Sequence, residues 1–161
     1  VIHSAEDASL LCSLLEKEYG IIERNFALNV QAENRINLGA THILDWAALG
    51  YTLHTLYVSF ENYFLRISKA FENNLPQDAW HKELLLRMEL EIPGVRPRLL
   101  DQDLAGKLDA LRGFRHVFLV VYDSPPDTKR ITLLQETVPD ILKSLAQYHQ
   151  DFLNQIANQF A

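Results

Sequence analysis

The sequence holds a single cysteine, Cys12, among its 161 residues. That excludes an internal disulfide framework and fits a reducing compartment such as the cytoplasm. Its six glycines are dispersed, so no phosphate-cradling glycine loop and no Gly-x-Ser-x-Gly elbow can be drawn. Basic charge is short as well. A formal net charge of -6 argues against broad electrostatic capture of nucleic acid, which needs an excess of Lys and Arg to displace counterions. No apolar run reaches the length of a bilayer span, and none reads as a signal peptide. The histidines His3, His42, His54, His81, His116 and His149 never pair one helical turn apart. Asp78-x-x-His81 is a lone carboxylate–histidine pair where a ferritin-like centre needs two with supporting glutamates, so neither a metal nor another cofactor is expected.

What is present reads as one globular domain over residues 1–161: apolar content of 48% and charged content of 22% are too balanced for disorder. Apolar positions recur at three and four, not in alternation. The clearest stripe is Leu49, Leu53, Leu56, Phe60, Phe64, Ile67 and Phe71, along one long helix. An earlier helix spans "SAEDASLLCSLLEKEYGIIERNF", with Ser4 and Asp7 competing as its N-cap and Gly20 and Gly39 as interruptions. A short helix from Gln77 to Glu91 ends at Pro93-Gly94. Another starts at Asp101 or Asp103, carries Leu104, Leu108, Leu111, Phe114, Phe118 and Val121 inward, and stops at Pro125-Pro126. The last turns Val138, Ile141, Leu145, Phe152 and Ile156 inward, with Pro139 read as a first-turn residue or a kink. The expectation is an all-α antiparallel bundle of about five helices.

Chemistry concentrates in "LRGFRHVFLVVYDSPPD", Leu111 to Asp127. Residues 87–130, which contain it, carry eight Lys or Arg against seven acids, whereas the remainder is strongly acidic. Arg112 and His116 stand four apart and share a helix face; Arg115 and Tyr122 share a neighbouring one. Two readings are open from spacing. All four residues edge an amphipathic helix, or they serve a phosphodiester, with guanidinium to bind phosphate and imidazole to move a proton.

Together with "LHTLYVSFENYFLRI" and "WHKELLLRMELEIPGVRP", the stretch "LRGFRHVFLVVYD" resembles the HEPN domains, specifically the HepT-like ribonuclease toxins. The resemblance covers most of the chain and implies a helical bundle that dimerises, cuts RNA without a metal, and is paired with a minimal nucleotidyltransferase antitoxin. The family motif is Arg, then a polar residue, then a His further along the helix, often followed after one residue by Tyr. Arg115 occupies the Arg slot, His116 the polar slot and Tyr122 the tyrosine slot, which in one branch of the family is modified with AMP. The histidine slot holds Val120, and from Arg112 the one candidate, His116, falls a residue short of the pattern. Valine neither donates nor accepts a proton, and a positioned acid or base is worth roughly 10²- to 10⁴-fold in rate. Two substitutes are open: His116 of the same helix, or His116 of a second subunit.

Other residues have narrower expectations. His54, Tyr57 and Glu61 share one side of the long helix as structural polar groups, with Glu61 bonded to an arginine. Arg96 and Arg98 in "GVRPRLL" stand on an exposed loop, where they widen a phosphate-binding surface or simply face solvent. Trp46, Trp80 and Cys12 are packing residues. The functional readings are a ribonuclease with Arg115, His116 and Arg112 at its centre and Tyr122 as off switch, a silenced module that keeps dimerisation and binds the nucleotidyltransferase or RNA, and a plain helical scaffold.

Overall fold

Short polar residues mark where the helices begin in the computed structural model, which describes residues 2, 4–72, 74–75, 80–120 and 124–160. Helix α1 (Ala5–Asn37) starts at Ser4, whose hydroxyl accepts the Asp7 N–H at 3.1 Å, so Ser4 rather than Asp7 is the cap. It ends in a Schellman motif: Ala40 N–H donates to the Arg35 carbonyl, Gly39 N–H donates to that of Ile36, and Gly39 takes a φ of 95°. Gly39 is thus the expected break, but Gly20 is not, because α1 runs straight through it. One interior glycine costs about 1 kcal/mol against alanine, less than the packing of a helix this long supplies.

Helix α2 (Ile43–Phe71) buries the whole predicted stripe from Leu49 to Phe71. Helix α3 (Trp80–Met88) leads into a loop closed by an isolated bridge between Ile92 and Arg96, with Gly94 at a φ of 73°. Helix α4 (Gln102–Val120) is capped by Asp101, whose carboxylate accepts the Leu104 N–H at 2.8 Å and the Tyr148 hydroxyl at 2.6 Å. These donors, the backbone N–H first, hold the Asp101 carboxyl below the ordinary range. Helix α5 (Thr128–Gln159) starts at Asp127 and carries Pro139 well inside it, not in its first turn. Pro139 is exposed, and the buried neighbours Val138, Ile141, Leu142 and Leu145 keep that stretch on the core, against the roughly 3 kcal/mol that an interior proline forfeits.

The chain is therefore all-α. Among the described residues no strand forms, and no helix is long and apolar enough to cross a membrane. Helix α2 is central: α1 and α4 pack on it, α5 closes against α1, α2 and α4, and α3 lies over α2 and α4. One apolar cluster runs through all five helices. Polar groups inside it are mostly matched. Asn29 and Gln135 exchange two amide hydrogen bonds of 2.8 Å, and Asn29 also donates to Thr52 at 3.0 Å, tying α1, α2 and α5 together.

Candidate functional site at the seam of α2 and α4

The two helices that carry the candidate residues run antiparallel and very close. Gly50 makes the approach possible: a Cβ there would lie 2.7 Å from Phe118 Cε2 and 3.3 Å from Ile131 Cδ1. About two turns on, Tyr57 feels the charges of Arg112 and Arg115, which lie further back along α4. The seam between these points holds His54, Tyr57 and Glu61 from α2 and Arg112, Arg115 and Phe118 from α4.

Each member has a distinct state. Tyr57 is only 1% exposed. Burial raises its hydroxyl far above the ordinary tyrosine value, Glu61 adds to the rise, and the two arginines oppose it. Glu61 is buried and accepts a 2.5 Å hydrogen bond from His81 Nδ1 of α3. Its partner is thus a histidine and not the expected arginine, because α3 crosses over α2 at that level. Trp80 stacks on His81 at 3.7 Å and packs against the core as expected. Arg112 donates from Nε to Asp109 at 2.7 Å, which spends part of its charge within its own helix.

Arg115 is different. Among the described residues its Nε is sealed from solvent without a hydrogen-bond partner, and it makes no ion pair. His54 shares this condition: its Nδ1 is sealed and unpartnered, while its ring lies 6.3 Å from that of Phe118 and 6.4 Å from that of Tyr51. Burial holds the His54 imidazole below the ordinary histidine value of 6.5, the Arg115 charge pushes it the same way, and Glu61 pulls against both. A sealed polar nitrogen without a partner costs about 1–3 kcal/mol. Two at one place, with Ser68 Oγ of α2 in the same condition elsewhere, call for an explanation.

Of the residues singled out in the sequence, Arg112 and Arg115 converge on α2. His116 does not join them: one residue beyond Arg115 and about 100° around the helix, it is exposed. Val120 is the last residue of α4; its side chain and the whole of Tyr122 lie outside the described residues, as does Asp78. The loop arginines part company. Arg98 is exposed, but Arg96 is fully buried, donating to Glu72 and to the carbonyls of Arg87, Leu90 and Pro97. It is a structural knot and cannot widen a phosphate surface. Spacing did place His54 on the right face, though its sealed nitrogen depends on how closely α4 approaches, which Gly50 alone hinted at. Among the described residues no three of His, Cys, Asp and Glu gather to hold a metal ion.

Beside the seam, a cavity of about 220 Å³ opens between the end of α4 and the start of α5, lined by Phe114, Val117, Phe118, Pro126 and Arg130. The Arg130 guanidinium sits 5.8 Å from the centre of the Phe114 ring. Phe118 therefore separates this cavity from His54.

No curated protein and no solved structure gives a significant match to the chain. A family model described as HepT-like protein matches residues 48–156, from the first turns of α2 through α3 and α4 to near the end of α5, and so takes in both sides of the seam. With more than half of its length matched, the chain belongs to the HepT-like family.

Proposed function

We propose that this HepT-like chain is the framework of a metal-independent RNA endonuclease of the toxin–antitoxin type. It acts as a homodimer in the cytoplasm, with a minimal nucleotidyltransferase as its antitoxin. Arg115 holds the scissile phosphate, Arg112 supports it and Tyr122 is the residue open to modification. The observation that carries the reading is Arg115 in the seam, whose sealed Nε has no hydrogen-bond partner and which makes no ion pair among the described residues. An arginine left without a carboxylate in an acidic chain is suited to a ligand anion, and its planar fork matches a phosphodiester. Val120 in the histidine slot and the exposed His116 favour a second reading, in which the bundle has lost catalysis and retains dimerisation and binding of the nucleotidyltransferase or RNA.

Cleavage of labelled tRNA and mRNA by the native chain, Arg115→Ala and Val120→His separates the two. Cleavage by the native chain that Arg115→Ala abolishes supports the ribonuclease. If Val120→His alone cuts, the frame is intact and the native chain works by binding. If none cuts, both catalysis and its latent frame are rejected.

A further inference from the structure

We infer that His54, supplied by α2 and not by the motif helix, is the catalytic residue that takes the proton from the attacking hydroxyl, because its sealed Nδ1 and the sealed Nε of Arg115 stand unpartnered at the same seam beside Phe118. The inference rests on the ribonuclease reading above. It answers the difficulty posed by Val120: the imidazole that the family motif lacks in this chain is supplied by the neighbouring helix.

The other described histidines are committed or misplaced. His42 accepts the Leu44 N–H and caps α2. His81 is bound to Glu61. His149 shares a 2.8 Å hydrogen bond with the Tyr63 hydroxyl and stacks on Tyr19, far along α5. His116 stands exposed on another face of α4. Among these histidines His54 combines a sealed, unpartnered ring nitrogen with the charge of Arg115 acting on it from across the seam. The groups acting on it are Arg115 from α4 and Glu61 from its own helix, with Arg112 and Tyr57 one turn away. Burial and the arginine charge both favour the neutral imidazole, the form able to accept a proton.

The step balances without a cofactor. The ribose 2′-oxygen attacks the adjacent phosphorus held by Arg115 and forms the O2′–P bond, while its proton passes to the His54 imidazole. The P–O5′ bond breaks, and the imidazolium returns the proton to the departing 5′-oxygen. The products are a 2′,3′-cyclic phosphate and a 5′-hydroxyl, and the histidine ends neutral as it began.

The test compares the native chain, His54→Gln, His116→Ala and Arg115→Ala in cleavage of labelled RNA, in affinity for the same RNA made 2′-deoxy at the cut site, and in the pH profile of kcat/KM. His54→Gln is expected to lose roughly 10²- to 10⁴-fold in cleavage while keeping its affinity for the 2′-deoxy RNA. Arg115→Ala loses both, and His116→Ala keeps both. In the native chain the acid limb of the profile falls below 6.5, the ordinary histidine value. Native-like cleavage by His54→Gln removes His54 from the chemistry and leaves the ribonuclease reading standing. A native chain that binds RNA through Arg115 but never cuts it rejects the ribonuclease reading and this role together. Should His54→Gln melt early, the native profile decides: an acid limb above 6.5 overturns the assignment.

Discussion

Two arginines, one buried and one half-buried, divide this molecule into contrasting regions. Arg96, in the loop after α3, has a side chain with no exposure and donates to Glu72 and three carbonyls. Arg87 joins it on Glu72 and also bonds Glu83 and Asn74. Arg115, in the seam of α2 and α4, has a sealed Nε with no acceptor among the described residues. The same side chain is therefore complete in one place and incomplete in the other. A complete arginine holds the fold together, since its removal strands the groups it satisfied. An incomplete one adds little to stability and keeps its bonding capacity for something that arrives later.

The largest expected effect breaks the complete region. Arg96→Ala leaves Glu72, only 10% exposed, and three carbonyls without their donor, and should destabilise the chain by about 3–5 kcal/mol, as loss of one member of a buried pair does. Arg96→Lys should recover little, because one ammonium cannot reproduce a planar fork that reaches acceptors on several sides. Urea melts of the three proteins measure both differences. A loss below 1 kcal/mol for Arg96→Ala would remove the distinction between the two regions.

Next comes the closeness of the seam itself. Gly50→Ala adds a Cβ at 2.7 Å from Phe118 Cε2, so α2 and α4 must part or Phe118 must turn. The expected cost is about 1–3 kcal/mol from overpacking, opposite in sign to the usual gain of alanine over glycine inside a helix. The shift in fluorescence or near-ultraviolet dichroism that accompanies repacking of the aromatic rings gives an independent readout. A stabilised Gly50→Ala would mean that the helices are not held together at this point.

Smaller still is the contribution of the two histidines whose imidazoles are held below the ordinary value, His54 in the seam and His149 in a completed contact. Burial is the first cause at both, and at His149 the charge of Glu16 opposes it. In the unfolded chain each takes up its proton near 6.5, and in the folded chain only at lower pH. The unfolded state thus binds more protons as the pH falls, so stability is full above 6.5 and declines below it, towards the depressed folded values. His149 is 5% exposed and His54 only partly buried, so His149→Gln should flatten the decline more than His54→Gln in melts run from pH 7 to about pH 5. Equal slopes in all three proteins would show that carboxylates, not these histidines, govern the acid side.

The division between the regions explains what could be read from the chain. Local features were legible: the Leu49 to Phe71 stripe, the caps at Ser4 and Asp101 and the stop before Asp127 all depend on residues within a turn or two, whereas spacing set Arg112 beside His116 and not beside Arg115. Contacts between distant segments were not. Nothing in "GVRPRLL" reveals that three carbonyls and Glu72 converge on Arg96, and an arginine on a loop is ordinarily exposed. Glu61 finds His81 only because α3 folds back over α2. Gly20 and Pro139 misled for the opposite reason, since local propensity pointed to a break and the packing of long helices overrode it. Arg115 was found by spacing, but that it is unpaired is a statement about every neighbour at once.

The smallest stability effect carries the sharpest test of the contrast. Arg115→Leu removes a sealed donor that has no acceptor among the described residues and puts an apolar side chain in the seam near His54 and Tyr57. Replacing an unsatisfied buried polar group in this way is neutral or favourable, so the melting temperature should stay level or rise by about 2–4 °C, the equivalent of roughly 1 kcal/mol in a chain of this size. Affinity for RNA should fall at the same time. A gain in stability paired with a loss of binding is the signature of a site kept open at the expense of the fold. If Arg115→Leu instead unfolds the chain as Arg96→Ala should, the guanidinium already has a structural task, and the phosphate must be held elsewhere.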